Sequence, residues 1–332
     1  MGRAHLTPPA VALSLFIACG AQTANRASII SSRTRPAPLA VVLTTDCGVE
    51  IDDQWALTHI LLSPELDLRA VVTTHASSVH WSSATSARQA ADVVARVGAT
   101  KPEAVPVLAG ADVPLQSVTT PRENAGLDVL LSVSRNFSDA RRLIVLSIGA
   151  ATDVASAIVK DPSIANRIAL VAMGFRDWPD GGDEFNIKND PLAWQVILKS
   201  HVPLVVGSST ATKRSLRLTR PEAARVTQSH GAIGEYLYAL FDDWLAGNSA
   251  LAAQMVSPGA WVIWDEVVVA YVLGLTRGDS VARPQLQLDF FFSHPQTTER
   301  ITWITRIDSD QLWRDFGQKM DARARAPTPP SH

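Results

Sequence analysis

The chain contains 332 residues, of which 46% are hydrophobic and 19% are charged, and its formal net charge is -2. This length suits one large α/β domain better than two small ones. A near-neutral charge gives no electrostatic reason to expect nucleic acid or an anionic membrane surface as a partner. The cysteines, Cys19 and Cys47, are too few to indicate a disulfide framework.

The N-terminal segment is typical of an export signal. Arg3 precedes an apolar stretch over residues 10–18, which is too short for a permanent membrane-spanning helix and ends at Cys19. Residues 1–19 are therefore predicted to be a signal peptide, either of the ordinary cleaved type or of the lipoprotein type with a lipid anchor on Cys19. The interpretation implies an exported bacterial protein, periplasmic or anchored to a membrane.

Three segments of different composition follow the signal. Residues 20–37 lack a hydrophobic period and are predicted to be a flexible linker. Residues 38–323 are predicted to form one folded domain, because no linker-like stretch divides them. The proline-rich residues 324–332 are predicted to be a disordered tail.

Within the predicted domain, apolar runs rich in β-branched residues alternate with helical patterns. Strands are predicted at 39–45, 68–74, 105–108, 143–148, 168–173 and 202–207. Helices are predicted at 51–62, 84–97, 152–160, 190–199, 233–246 and 265–275. Strands that are apolar throughout suit a parallel sheet covered on both faces, so we expect a doubly wound, mostly parallel α/β sheet with helices on both faces. Residues 286–305 are expected to add a pair of later strands.

Three aspartates lie close together after the first predicted strand. Asp46 follows the strand directly, and Asp52 and Asp53 open the first helix. An acidic residue in a first helical turn is stabilised by the exposed N–H groups, so Asp52 and Asp53 can be simple helix-capping residues. That explanation does not cover Asp46, which stands at a strand tip, where ligands bind in open parallel sheets.

Later strands also lead into polar residues. The loop after the fourth strand reaches Thr152, the loop after the fifth contains Glu184 and Asn186, and Asp265 opens a late helix. The carboxylates and a backbone carbonyl near Thr152 offer only oxygen donors, and no Cys/His spacing in the sequence suits zinc. Such a donor set favours a hard cation, with Ca²⁺ preferred over Mg²⁺ where several protein groups converge.

This pattern resembles the calcium-dependent nucleoside hydrolases, the inosine–uridine preferring family. The resemblance covers most of residues 39–275 and rests on motifs in the order that the family has. They are the aspartate cluster leading into Trp55-Ala-Leu, Val105-Pro-Val-Leu-Ala-Gly110 followed by Pro114-Leu115, Gly149 to Thr152, Glu184-Phe-Asn-Ile187 with Asp190-Pro191, and Trp264-Asp265. The resemblance implies a nucleoside hydrolase-like, Rossmann-like fold for residues 38–323 and cleavage of the N-glycosidic bond of ribonucleosides.

The resemblance also implies roles for the acidic residues. A Ca²⁺ ion would be held by Asp46, Asp53, the backbone carbonyl of Thr152 and Asp265. Asp46 would also act as the base toward a water on the metal. Asp52, together with the calcium, would engage the ribose hydroxyls.

Further residues are predicted to contact the substrate. In the family pattern, Glu184 and Asn186 would hold other sugar hydroxyls. Trp264 stands where purine-preferring members place an aromatic ring against the nucleobase, so the resemblance implies a preference for purines. Trp81 and His75 follow the second predicted strand and are candidate pocket residues.

The aspartate cluster departs from the usual family spacing. Five residues separate Asp46 from Asp52, where the family usually has three, and Thr44 replaces an earlier aspartate. Two alternatives therefore stay open: an exported lipoprotein that binds a sugar or nucleoside without turnover, and a hydrolase of another glycoside with the same calcium pocket. Because family members are usually dimers or tetramers, the resemblance also implies a homo-oligomer.

Overall fold

The computed structural model describes residues 1–2, 37–98 and 105–325. Cys19 and nearly all of the predicted signal peptide and linker lie outside the described residues, so export and lipidation stay predictions. Within the part of the chain that the structure describes, no helix is both long enough and apolar enough to cross a membrane. The last helix continues through Ala324 and Arg325, two residues into the predicted tail.

The described residues form strands and helices in regular alternation over most of their length. The strands are β1 (Leu39–Thr45), β2 (Leu66–Thr73), β3 (Val107–Ala109), β4 (Leu143–Ser147), β5 (Ile168–Met173), β6 (Leu204–Gly207), β7 (Arg217–Thr219), β8 (Ala260–Val262), β9 (Thr276–Ala282), β10 (Gln285–Leu286), β11 (Phe292–Ser293) and β12 (Arg300–Ile307). The α-helices are α1 (Asp52–Leu62), α2 (Ser83–Val97), α3 (Ala125–Ser134), α4 (Thr152–Lys160), α5 (Phe185–Asn189), α6 (Pro191–Lys199), α7 (Ser209–Ser215), α8 (Arg220–Ala223), α9 (Gly231–Gly247), α10 (Ser249–Met255), α11 (Glu266–Val272) and α12 (Ser309–Arg325).

Eight of the strands form one sheet in the order β3-β2-β1-β4-β5-β6-β12-β9. All neighbouring pairs are parallel except β12 and β9, which are antiparallel. The chain moves outward from β1 to β3 and then returns to β4 on the other side of β1. The predicted doubly wound, mostly parallel sheet is therefore confirmed. A reversal of this kind opens a crevice at the carboxyl ends of β1 and β4, where ligands bind in such folds.

The central strands are buried on both faces. Val41 and Leu43 of β1 belong to a hydrophobic layer that also contains residues of α1, α2, α9, α11 and α12. Val42, between them, belongs to a second layer with residues of α3, α4 and α6. Because successive residues of a strand point to opposite faces, helices cover both sides of the sheet, which explains why β1, β4 and β5 are apolar throughout.

Several elements differ from the sequence-based expectation. The strand predicted at 202–207 begins at Leu204, after Pro203, which has no N–H group to donate to the sheet. The pair expected within 286–305 is only partly correct: β10 and β11 form a small separate antiparallel ladder, whereas β12 lies in the main sheet between β6 and β9. The helices α3 and α12 are not among the predicted ones.

Candidate active site

Four buried aspartates meet at the carboxyl edge of the sheet. Asp46 follows β1, Asp52 and Asp53 form the first turn of α1, and Asp265 directly precedes α11. One carboxylate oxygen from each of Asp52, Asp53 and Asp265 lies within 4.8 Å of the other two. Asp46 lines the same cavity, so the structure gathers the predicted acidic residues at one place, which we call the acid cluster (Asp46, Asp52, Asp53 and Asp265).

Local backbone geometry determines where Asp46 sits. Gly48 has a φ of 92°, which glycine adopts without strain, and the turn brings the N–H of Val49 to 3.2 Å from the carbonyl oxygen of Asp46. Gly149, after β4, packs directly against Asp46. A Cβ atom at position 149 would lie 2.7 Å from the backbone nitrogen of Asp46 and 2.8 Å from its Oδ1. Only glycine therefore lets the ends of β1 and β4 approach this closely.

One carboxylate oxygen in the acid cluster has no partner among the described residues. The hydroxyl of Thr45 donates a hydrogen bond to Oδ1 of Asp53. By contrast, Oδ2 of Asp46 is buried and accepts no hydrogen bond from any residue that the structure describes. An unsatisfied buried polar atom is costly, and more so when it carries charge. The arrangement therefore suits a cation or a bound water at Oδ2 of Asp46.

The electrostatics of the acid cluster also call for a positive charge. Burial raises the pKa of Asp46, Asp53 and Asp265 well above its ordinary range, and repulsion from neighbouring carboxylates raises it further. Burial raises the pKa of Asp52 to about 7, although hydrogen bonds lower it part of the way. A divalent cation would offset this repulsion, and a set of carboxylate oxygens is the chemistry that Ca²⁺ accepts.

Glu50 is a site residue that the sequence analysis missed. It lines the cavity, and Nε1 of Trp261 donates a hydrogen bond of 3.1 Å to its Oε2. Burial and the charge of Asp52 raise its pKa well above the ordinary value. The sequence does contain a signal for it, because Glu50 is an acidic residue within the unusually long segment between Asp46 and Asp52.

A cavity of about 890 Å³ opens above the acid cluster. Its walls include the predicted residues Trp81, Glu184, Asn186 and Trp264. One carboxylate oxygen of Glu184 accepts hydrogen bonds from the backbone N–H groups of Asn186 (3.0 Å) and Ile187 (3.3 Å). Burial nevertheless raises the pKa of Glu184 to about 7. The walls therefore combine aromatic faces with groups that bind hydroxyls.

Two predicted residues do not line the cavity. His75 is fully buried, and its Nε2 lies 3.0 Å from Oγ1 of Thr152 while its Nδ1 lies 2.7 Å from the hydroxyl of Ser77. The hydroxyl of Thr152 in turn donates to Asp190 over 2.7 Å. The predicted contact of His75 with substrate is thus not supported, because both ring nitrogens face protein hydroxyls. Ile148 lines the cavity from the loop that precedes Thr152.

The fold and this cavity together define a small-molecule site of an α/β protein, with oxygen donors for a hard cation. The family described as inosine-uridine preferring nucleoside hydrolase matches residues 41–314, and the chain belongs to this family. The resemblance seen in the sequence is therefore confirmed.

Individual relatives are distant. The chain is 26% identical over 202 residues to the pyrimidine-specific ribonucleoside hydrolase RihA of Escherichia coli O9:H4 (strain HS), which covers 53% of this chain and 63% of the relative. RihA of Salmonella paratyphi C (strain RKS4594) matches equally, with 26% identity over 202 residues. The matched part thus spans less than two thirds of these curated relatives.

Solved structures share the fold. A purine-preferring ribonucleoside hydrolase from Gardnerella vaginalis is similar with a TM-score of 0.70 and 18% identity, over 86% of this chain and 99% of that one. A plant nucleoside hydrolase gives a TM-score of 0.69 and 19% identity over the same shares. At these identities the similarity shows the fold of the chain.

Proposed function

We propose that the protein hydrolyses the N-glycosidic bond of ribonucleosides, with a preference for purine nucleosides, and that it requires Ca²⁺ at the acid cluster. The observation that carries the proposal is the unpartnered Oδ2 of Asp46 beside three other buried aspartates, at the floor of a cavity with tryptophan in its walls. Family membership supports a ribonucleoside as the substrate.

The acid cluster supplies the donors for the cation. We assign Asp46, Asp53 and Asp265 as ligands, and Asp52 as the residue that faces the ribose hydroxyls. A bound Ca²⁺ would neutralise the carboxylates and bind hydroxyl and water oxygens. A further ligand from the backbone of the loop after β4 is proposed, either at Thr152 as predicted from the sequence or at Ile148, which lines the cavity.

Asp46 is the proposed general base. Its unpartnered oxygen can take a proton from a water that attacks the anomeric carbon, while the bond from that carbon to the base nitrogen breaks. The sugar gains the hydroxyl, and the nucleobase leaves with the bonding electrons and takes a proton from solvent, while Asp46 later releases its own proton to solvent. The neighbouring carboxylates stabilise the positive charge that develops on the sugar during this step.

Wall residues are proposed to select the substrate. Glu184 and Asn186 would bind sugar hydroxyls, because both line the cavity that the acid cluster also lines. Trp264 would stack on the nucleobase and favour a purine that leaves in protonated form, by cation–π attraction. The names of the relatives do not agree on the preferred nucleobase, since RihA is called pyrimidine-specific and the Gardnerella enzyme purine-preferring.

A panel of nucleosides, assayed for free sugar with and without a chelator, tests the proposal. We expect release of ribose from inosine and adenosine, loss of release with chelator, and recovery when Ca²⁺ is restored. Stacking worth ~1–2 kcal/mol in the transition state predicts roughly a 5- to 30-fold advantage of inosine over uridine. A clear preference for uridine would overturn the proposed role of Trp264, whereas release that is unaffected by chelator would overturn the cation site.

Cation binding is expected to depend on pH. The cation's charge favours the ionised form of the neighbouring Asp52, whose pKa burial raises to about 7, so below that pKa binding displaces a proton from Asp52. Calorimetric Ca²⁺ affinity should therefore rise from pH 6 to pH 8, by up to about tenfold per pH unit for each proton displaced.

The metal-free protein should show the opposite trend in stability. A carboxyl whose pKa is raised by folding binds more protons in the folded state, so the folded form loses stability as pH rises through that pKa. In chelator, the melting temperature should fall between pH 5 and pH 8, and saturating Ca²⁺ should remove the fall. A melting temperature in chelator that rises over this range would contradict the assignment.

A further inference from the structure

A buried network of charged residues lies behind the acid cluster. His59 of α1 is fully buried, with its Nδ1 2.9 Å from Oε2 of Glu266 and its Nε2 2.9 Å from Oδ2 of Asp315. Phe316 stacks on the imidazole ring at a centroid distance of 4.3 Å and an interplanar angle of 8°. Lys319 lies 2.5 Å from the same oxygen of Asp315. The network thus joins α1, α11 and α12.

The state of the ring follows from this geometry. Each ring nitrogen faces a carboxylate, which accepts hydrogen bonds and donates none when ionised. Both contacts are satisfied together only when both nitrogens carry hydrogen, which makes the ring an imidazolium. Glu266 is itself fully buried, so the imidazolium is the positive charge that faces it at hydrogen-bond distance. Removing one partner would leave a buried charge uncompensated.

The network contacts both helices that carry the acid cluster. Glu266 is the residue directly after Asp265, at the first position of α11. His59 lies on α1, whose first turn contains Asp52 and Asp53. Since the aspartates of the cluster repel one another, the two helix ends need an attraction elsewhere that keeps them close. The contact between His59 and Glu266 supplies that attraction away from the cavity.

We propose that His59 is a positioning residue, which fixes α11 against α1 through Glu266 and so sets the spacing of Asp265 and Asp53. The inference rests on the proposed cation site. His59 does not touch the ion or the substrate in this arrangement. Its loss therefore acts through geometry: the carboxylates move apart, and the cation is bound more weakly.

The test is Ca²⁺ affinity, measured by titration calorimetry on the full chain at pH 8, for the unaltered protein and for His59→Gln. Residues that orient metal ligands from behind typically contribute roughly 10- to 100-fold in affinity, and we expect a loss in that range. Glu266→Gln should show a similar loss. The double variant should be no weaker than the weaker single variant, because both changes break the same contact.

A control must separate positioning from general loss of stability. Arg283 is 7% exposed and pairs with Glu299 at 3.2 Å, outside the cavity lining. Arg283→Met removes the buried cation of an ion pair whose partner, Glu299, is 37% exposed, without touching α1 or α11. It should leave Ca²⁺ affinity unchanged even if it lowers the melting temperature. If His59→Gln does not fold, Glu266→Gln serves in its place, because it removes the charge from the other side of the same contact.

The outcomes are distinct. Weakened Ca²⁺ affinity in the network variants, with normal affinity in Arg283→Met, supports the inference. A folded His59→Gln protein, or a folded Glu266→Gln protein in its place, with unaltered affinity would overturn it while leaving the proposed function intact. Failure of the unaltered protein to bind Ca²⁺ at all would overturn the proposed cation site, and this inference with it.

Discussion

Release of ribose from inosine is expected to fall by a factor of ~10²–10⁴ in an Asp46→Asn variant, which is the usual contribution of a general base. Asparagine keeps one oxygen for the cation but cannot accept a proton from water. Steady-state kinetics on the Ca²⁺-saturated protein should therefore show a lower kcat with a small change in KM. Binding of nucleoside should persist, and calorimetry can measure it in the variant without turnover.

This variant also decides between an enzyme and a binding protein. An exported lipoprotein that only binds nucleosides would release no sugar in either form and would keep its affinity after the change. The matched control is Asp92→Asn, which removes one negative charge from an exposed pair with Arg96 on α2. That control should hydrolyse inosine at the rate of the unaltered protein. Equal rates for Asp46→Asn and Asp92→Asn would rule out Asp46 as the base.

An Asp265→Asn variant is expected to change stability in opposite directions with and without cation. In chelator at pH 8, the variant should unfold at a higher temperature than the unaltered protein, because one of the mutually repelling buried charges is gone. With Ca²⁺ at about 100 times its dissociation constant, the unaltered protein gains ~2.7 kcal/mol from binding. The variant lacks a proposed ligand and should gain little at the same concentration. Ribose release should fall with the loss of the cation.

Thermal unfolding of both proteins in chelator and in Ca²⁺ measures the crossover. Asp92→Asn again serves as the control, since its carboxylate is exposed and should make no difference to the Ca²⁺-dependent shift. If the Asp265→Asn variant is less stable than the unaltered protein in chelator, the repulsion argument fails. If it retains the full stabilisation by Ca²⁺, Asp265 is not a ligand.

The segment from Leu39 to Asp53 shows which parts of the fold can be predicted from the sequence. The strand predicted at 39–45 is β1, residue for residue, and the helix predicted from 51 begins at Asp52. Both signals are local. A strand buried on both faces must be apolar throughout, and acidic residues are favoured in a first helical turn.

The direction of individual side chains was harder to predict. His75 follows β2 as expected, but its ring turns toward Thr152 and away from the cavity. Glu50 reaches the cavity because Gly48 bends the chain at a positive φ. Such turns decide which of several neighbouring polar residues faces a ligand, and their geometry is not encoded in residue type alone. The residues of the acid cluster are easier to predict, because they stand at the ends of strands and helices, where ligands bind in this class of fold.

The sequence of helix α12 carries a local helical pattern. Leu312, Phe316 and Met320 are spaced four apart and are fully buried, which is the pattern of an amphipathic helix. Its role could not be read from that pattern. The contact between Asp315 of this helix and His59 joins residues 256 positions apart, and only the folded sheet brings them together.

The place of β12 has a consequence for how the protein is made. Strand β12 pairs with β6 on one side and with β9 on the other, so an interior position of the sheet is filled by the last of its eight strands to be synthesised. Until residues 300–307 have left the ribosome, β6 is an edge strand, and the backbone N–H and C=O groups on its free side have no partner strand. Such an edge readily pairs with strands from other molecules. A nascent chain halted before that point would be a half-built sheet prone to aggregation, not a smaller version of the folded protein.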